Sequence, residues 1–178
     1  MKGIVAKFVI LVVGVLSIGA QIGSAQNPIV EQLRSQWEAS RKQMVQVAEA
    51  MPADKFQFQP TPEVRGYGSI ITHLAGENMT FMETVAGGAK PGPAERFEQL
   101  KTRPEILKAL ADSYEYGAKA LAGLTDQKAM EAIPFFGGRQ VPRWVIVMQA
   151  IGHSKEHYGN LVTYLRLNKI VPPSTAGM

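Results

Sequence analysis

The sequence predicts an all-α fold, a four-helix bundle with long loops between the helices. Apolar residues recur at helical spacing in four separate segments, and proline, glycine or a capping residue bounds each segment. The chain has 178 residues, of which 46% are hydrophobic and 19% charged. This composition suffices for one buried core, and the length is too short for two ordinary domains. We therefore expect one bundle domain at residues 26–178, preceded by a signal peptide at residues 1–25.

The amino-terminal segment has the pattern of a secretory signal peptide. Lys2 and Lys7 precede an apolar run from Phe8 to Ala20, and small residues follow at Gly23-Ser24-Ala25. The apolar run is about 13 residues long, short of the roughly 20 that a membrane span needs. The pattern predicts an exported protein, periplasmic or secreted, with no stable membrane span after cleavage.

The first predicted helix begins at Asn27-Pro28, a capping residue followed by proline at the first helical position. Its apolar stripe ends at Pro52. The members of that stripe recur at spacings of three, four and seven: Val30, Leu33, Trp37, Met44, Ala48 and Met51. From Pro52 to Gly68, prolines and glycines alternate with aromatic residues, which predicts an ordered loop.

Ser69 is the predicted cap of the second helix, which runs to about Ala86 before two glycines. Thr102 and Glu105 have the spacing of a capping box and predict the start of the third helix, which ends before Gly123.

The stretch from Leu124 to Val141 is irregular and could form a short hairpin or a lid. The fourth predicted helix runs from Pro142 to about Asn168.

Composition excludes several function classes. The chain has no cysteine, which rules out disulfides, thiolate metal sites and a cysteine nucleophile. Without the two lysines of the signal segment, the net charge falls from +4 to +2, and no cluster of basic and aromatic residues remains. Nucleic acid is therefore not an expected partner. Any metal site must use histidine, aspartate or glutamate.

All three histidines of the chain fall on predicted helices. His153 and His157 are one helical turn apart and project from the same face, at the edge of the apolar arc of the fourth helix. His73 has the same position at the edge of the second helix. If these two helices are neighbours, three neutral imidazoles converge as in an open metal site. The alternative is that each histidine is an ordinary polar residue beside the core.

Glu156 points away from both neighbouring histidines, so the geometry of an HExxH protease is not reproduced.

Two segments resemble the DinB family. One is the run from His153 to Ser174, with its paired histidines, its Leu165-Arg166-Leu167 and its Pro172-Pro173 exit. The other is the entry into the second helix, Gly68 to Ala75. The resemblance covers nearly the whole mature chain and implies a four-helix bundle with a divalent metal, zinc or nickel in many members. By the same resemblance, His73, His153 and His157 are the metal ligands.

The resemblance does not determine the reaction. Relatives include thiol-dependent S-transferases, a maleylpyruvate isomerase and hydrolase-like proteins. We expect a metal-dependent enzyme of hydrolase or S-transferase type acting on a small molecule, and export weakens thiol transfer because low-molecular-weight thiols are abundant in the cytoplasm. Glu77, one turn beyond His73, is the candidate catalytic base; it could instead orient an imidazole or be a solvated helix residue.

The alternative function is a non-enzymatic exported protein that binds a metal or a small ligand. Three imidazoles accept several divalent metals, so the pattern favours zinc or nickel only through the resemblance. A homodimer is compatible with the family but no residue establishes it.

Overall fold

The structure, a computed structural model, describes residues 27–87 and 92–177. The signal-peptide assignment at residues 1–25 lies outside these residues. Four long helices form the bundle: α1 (Pro28–Ala50), α2 (Tyr67–Ala86), α3 (Arg103–Ala122) and α5 (Arg143–Leu167). A short helix, α4 (Asp126–Met130), and two strands, β1 (Ala132–Phe135) and β2 (Arg139–Pro142), lie between α3 and α5. The predicted all-α class and the four long helices are confirmed.

The long helices form a ring in which each packs against two others. α1 and α2 each contact both α3 and α5. The core between them is built from large buried side chains, including Trp37, Met44, Leu74, Tyr114 and Ile146. The condition for a joint histidine site is therefore met, since α2 and α5 are neighbours. Among the residues that the structure describes, no helix has both the length and the apolar character needed to cross a membrane.

The start of α1 is where the sequence predicts it, but its cap is different. Asn27 occupies the N-cap position without a capping hydrogen bond from its side chain. The backbone N–H groups of Ile29 and Val30 instead donate to the Asp126 carboxylate, at 3.1 and 2.9 Å. In return, Asn27 Oδ1 accepts from the backbone N–H of Asp126 at 2.8 Å. The cap thus comes from α4, which is distant in sequence.

Ser69 does not cap α2, and this prediction was wrong. The helix begins two residues earlier, at Tyr67, with Gly66 at the N-cap position. Tyr67 is fully buried, its hydroxyl donates to the Val47 carbonyl of α1, and its N–H donates to the Phe58 carbonyl at 2.8 Å. These tertiary contacts fix the first turn before Ser69 is reached. The predicted end at Ala86 is confirmed, with Gly87 in the left-handed conformation that glycine favours.

Three arginines satisfy carbonyl groups at the ends of helices. Arg34 donates to Leu121 O at the end of α3, and Arg103 donates to Met51 O just after α1. Arg143 Nε donates to Val85 O in the last turn of α2 at 3.0 Å, which anchors the start of α5 to that turn. A cation at a helix carboxyl terminus is also favoured by the helix dipole.

The irregular stretch contains a short hairpin, one of the two predicted alternatives. β1 and β2 pair antiparallel with Phe135 opposite Arg139. Gly137 and Gly138 have positive φ angles of 70° and 75° at the turn, which only glycine adopts readily. The predicted capping box at Thr102 and Glu105 also forms.

Candidate metal centre

Packing of α2 against α5 brings all three histidines together. One ring nitrogen from each of His73, His153 and His157 lies within 4.8 Å of the others. Nε2 of His153 is 3.0 Å from Nε2 of His157. Two imidazole nitrogens on one tetrahedral zinc would lie about 3.3 Å apart, given metal–nitrogen distances near 2.05 Å. The cluster can therefore close on one metal ion with small adjustments of the rings.

The three rings face one another edge to face. Their centroids are 4.5 Å apart for the pair on α5, and 5.1 and 5.2 Å from His73 to His157 and His153. The interplanar angles lie between 78° and 87°. The contact between the two Nε2 atoms has hydrogen-bond length, and the tautomers of the two rings determine which one donates.

Burial keeps the imidazoles neutral. Desolvation is the largest cause that lowers the pKa of His73 and of His157 to about 4, and like charges nearby add to it. The pKa of His153 is lowered for the same first reason, although the Glu156 carboxylate opposes the shift. A neutral imidazole has a free nitrogen lone pair at neutral pH, which is the form that binds a metal.

The outer nitrogens of the pair on α5 are poorly satisfied. His153 Nδ1 is buried and has no hydrogen-bond partner among the residues that the structure describes. His157 Nδ1 has a single long contact, 3.5 Å to Asn160 Nδ2. A buried polar atom without a partner is unfavourable whether or not a metal is bound. A metal between the Nε2 atoms would not contact these outer nitrogens, so the support for a metal site comes from the convergence of the inward-facing nitrogens.

The two glutamates considered from the sequence lie outside the cluster. Glu77 is half-buried on α2, and burial raises the pKa of its carboxyl group, with the negative charge of Glu95 adding to the shift. Glu156 is exposed, so an HExxH arrangement is absent as the sequence indicated. Neither carboxylate is placed to complete the cluster as a fourth ligand.

A cavity of about 620 Å³ opens beside His157. Its walls come from the loop before α2, from the first turn of α2 and from one face of α5: Glu63, Val64, Arg65, Ile70, Glu156, Asn160 and Tyr164. The positive charge of Arg65 acts on all three imidazoles and on Glu77. Sequence analysis missed Arg65, because a loop residue has no helical periodicity that could place it.

An aromatic cluster borders the histidines on another side. The Phe81 ring lies 6.1 Å from His153, and Phe135 and Phe136 at the hairpin turn contact Phe81 at 5.9 and 6.0 Å between centroids. Phe136 is 53% exposed. The hairpin therefore contributes apolar rings close to the three imidazoles.

Comparison with known proteins gives one family. The family model described as the DinB superfamily matches residues 36–161. A DinB-like protein from Bacillus cereus is similar in structure, with a TM-score of 0.70 and 17% identity over 80% of this chain and 95% of that one. A DinB-like protein from Bacillus subtilis has a TM-score of 0.63 and 22% identity over 78% and 92%. These two likenesses show a common fold. No curated protein matches the chain.

Proposed function

Because the chain belongs to the DinB superfamily, we propose that it is an exported divalent-metal-binding protein and a metal-dependent enzyme of hydrolase or S-transferase type. His73, His153 and His157 are the proposed ligands, and zinc or nickel is the proposed metal. The single observation that carries the proposal is the convergence of three neutral imidazole nitrogens within 4.8 Å. Such a donor set suits zinc and nickel.

Three protein ligands leave a further position for water or substrate, as in catalytic rather than structural zinc sites. When bound there, a divalent cation would polarise a substrate and lower the pKa of a coordinated water. The chain's own residues supply the surroundings: the rings of Phe81 and Phe136 form an apolar wall on one side, and the cavity beside His157 has room for a small molecule.

Hydrolysis is favoured over thiol transfer within this proposal. The signal-peptide pattern of residues 1–25 predicts export, away from cytoplasmic thiols. Glu77 is the proposed proton acceptor. Burial raises the pKa of its carboxyl group, which brings a glutamate closer to the range in which a general base works.

Metal content, measured together with thermal stability, tests the proposal. We would determine zinc and nickel by elemental analysis in the purified protein, in His153→Ala and in the control Gln149→Ala, an exposed residue on the same helix. The proposal predicts near-stoichiometric metal in the wild type and the control, and none in His153→Ala. Absence of metal from all three, even after incubation with zinc or nickel, would contradict it.

The melting temperature distinguishes the kind of site. If metal removal leaves it nearly unchanged, the metal is functional, as proposed. A large fall would indicate a structural metal and would favour a non-enzymatic binding protein.

A further inference from the structure

Most arginines of the chain already have a structural partner. Arg34, Arg103 and Arg143 donate to carbonyl groups at helix ends. Two others form ion pairs, Arg41 with Glu38 and Arg96 with Glu83. Among the residues that the structure describes, three arginines have no hydrogen bond or ion pair from the guanidinium group: Arg65, Arg139 and Arg166. Of these, only Arg65 lines the cavity beside His157.

The loop that carries Arg65 is fixed on both sides of this residue. The Tyr164 hydroxyl of α5 donates to the backbone carbonyl of Arg65 at 3.0 Å. Gln59 Nε2 donates to the Val64 carbonyl at 2.7 Å, and Tyr67 is buried in the core. The backbone at Arg65 is therefore held against the helix that provides two of the three histidines. With the backbone fixed, only the side chain of Arg65 has to be ordered when a ligand binds.

The charges around the cavity limit what can bind there. Arg65 is the one cation in the described lining, and Glu63 and Glu156 are carboxylates. A hydrogen bond from Thr61 is the largest cause that lowers the pKa of Glu63, so this group is ionised at neutral pH. A divalent metal on the three neutral imidazoles would contribute +2, Arg65 contributes +1, and the two carboxylates contribute −2. The net charge of the loaded site would therefore be +1. One negative charge is accommodated, and a second is disfavoured.

We propose that Arg65 binds a carboxylate group of the substrate, so that the enzyme acts on small monocarboxylates. A guanidinium presents two parallel N–H donors that match a carboxylate. Glu63 and Glu156 select against dianions such as phosphate. This inference rests on the proposed function, because it places the carboxylate beside the metal centre and gives the substrate class of that site.

Binding of acetate to the zinc-loaded protein tests the inference. The Arg65 Nε–H resonance in a proton–nitrogen correlation spectrum reports on the guanidinium directly, at constant ionic strength. We expect a saturable shift with acetate, none with the neutral isostere acetamide, and weaker binding of inorganic phosphate. Acetate affinity, measured by titration calorimetry, should fall about tenfold or more in Arg65→Ala, because a charge-assisted hydrogen-bond pair is lost.

Arg166→Ala is the matched control, since Arg166 is also exposed and unpaired but lines a different cavity. It should bind acetate as the wild type does. Equal acetate affinity in Arg65→Ala and the wild type, or tighter binding of phosphate than of acetate, would overturn the inference.

Zinc content is measured in each sample. Failure to load zinc would count against the proposed function itself. Full zinc loading of Arg65→Ala together with a tenfold loss of acetate binding would support both.

Discussion

Two adjacent residues of α5, His153 and Ser154, belong to two different polar clusters. The clusters differ in how many of their polar atoms have a hydrogen-bond partner in the protein. Ser154 belongs to a hydroxyl network inside the core, where the Tyr114 hydroxyl donates to Ser154 Oγ at 3.0 Å and lies 3.3 Å from Ser40 Oγ. The network continues through Ser113 and Asn78, so that all four long helices contribute a residue. His153, the preceding residue, belongs to the imidazole cluster, whose outer nitrogens are nearly without partners.

The core network has the properties of a structural cluster, and the imidazole cluster has those of a binding site. In the core network every hydroxyl has a protein partner, and one amide oxygen, Asn78 Oδ1, is the unpaired exception among the described residues. In the imidazole cluster the Nε2 atoms of His153 and His157 face each other, and His157 borders an open cavity. Polar groups that satisfy one another specify the packing of the helices, whereas three neutral nitrogens that converge can bind an external ligand.

The largest expected effect is on metal binding. His157→Phe removes one ligand but keeps a ring of similar shape, so the dissociation constant for zinc should rise by more than the roughly 100-fold that loss of an outer partner can cause. Competition with a chelator measures this. Tyr114→Phe, from the core network, should leave zinc affinity unchanged. An unaltered zinc affinity in His157→Phe would show that the imidazole cluster does not bind the metal.

The second effect is on stability. Tyr114→Phe leaves the buried hydroxyls of Ser40 and Ser154 without their shared partner, and we expect a loss of about 2 kcal/mol in the free energy of unfolding. Urea unfolding of the metal-free protein at pH 7 measures it. The control is Tyr116→Phe, because Tyr116 is half-buried and its hydroxyl has no hydrogen bond among the described residues. A change below about 0.5 kcal/mol would show that the network contributes little to the fold.

A third effect is the pH dependence of the metal-free protein. His73 and His157 have folded-state pKa values of about 4, below the ordinary 6.5. Between pH 6.5 and pH 4 the unfolded chain binds protons that the folded protein does not, so stability present above pH 6.5 is lost as the pH falls.

The partial solvent exposure of His73 reduces the size of this third effect. We expect the free energy of unfolding to fall by about 2 kcal/mol in total over the interval. A shift of one pKa unit corresponds to at most about 1.4 kcal/mol for each ring, so the expected loss is well below the limit for two rings. Urea unfolding across the pH range measures it. His157→Phe should reduce the slope by about half, and a slope equal to that of the wild type would contradict the assignment to these rings.

The smallest effect concerns Glu77. Its carboxyl pKa is raised in the folded protein, so ionisation of this group destabilises the fold above its unfolded-state pKa. Glu77→Gln should therefore increase stability at pH 7, by less than about 1 kcal/mol, and should have little effect at pH 4. Zinc affinity should not change, because Glu77 is outside the cluster. A tenfold or larger loss of zinc affinity would place Glu77 among the groups that hold the metal.

Helical periodicity predicted that the three histidines converge if their helices are neighbours, and the family resemblance named them as ligands. The spacing of His153 and His157, and the position of His73 at a comparable edge, required only that two helices be neighbours, and α2 and α5 are. The bundle and the ends of the long helices were likewise predictable from apolar spacing and from glycine and proline. These features depend on residues that are close in sequence.

Features that depend on distant residues were not predictable. α2 begins at Tyr67 because this ring is buried against α1, and Arg65 is near the histidines because Tyr164, 99 residues away, binds its carbonyl. The short helix α4 was missed for a related reason. Thr125 caps this five-residue helix, but the helix packs against α1 and α5, which are distant in sequence.

The two ends of α1 depend on partners at different distances along the chain. Its carboxyl end is bound by Arg103, 52 residues after Met51, whereas its first turn binds Asp126, which follows Ile29 by 97 residues. A chain that ends at Gly123 would therefore keep the partner of the carboxyl end of α1 and lose that of its first turn.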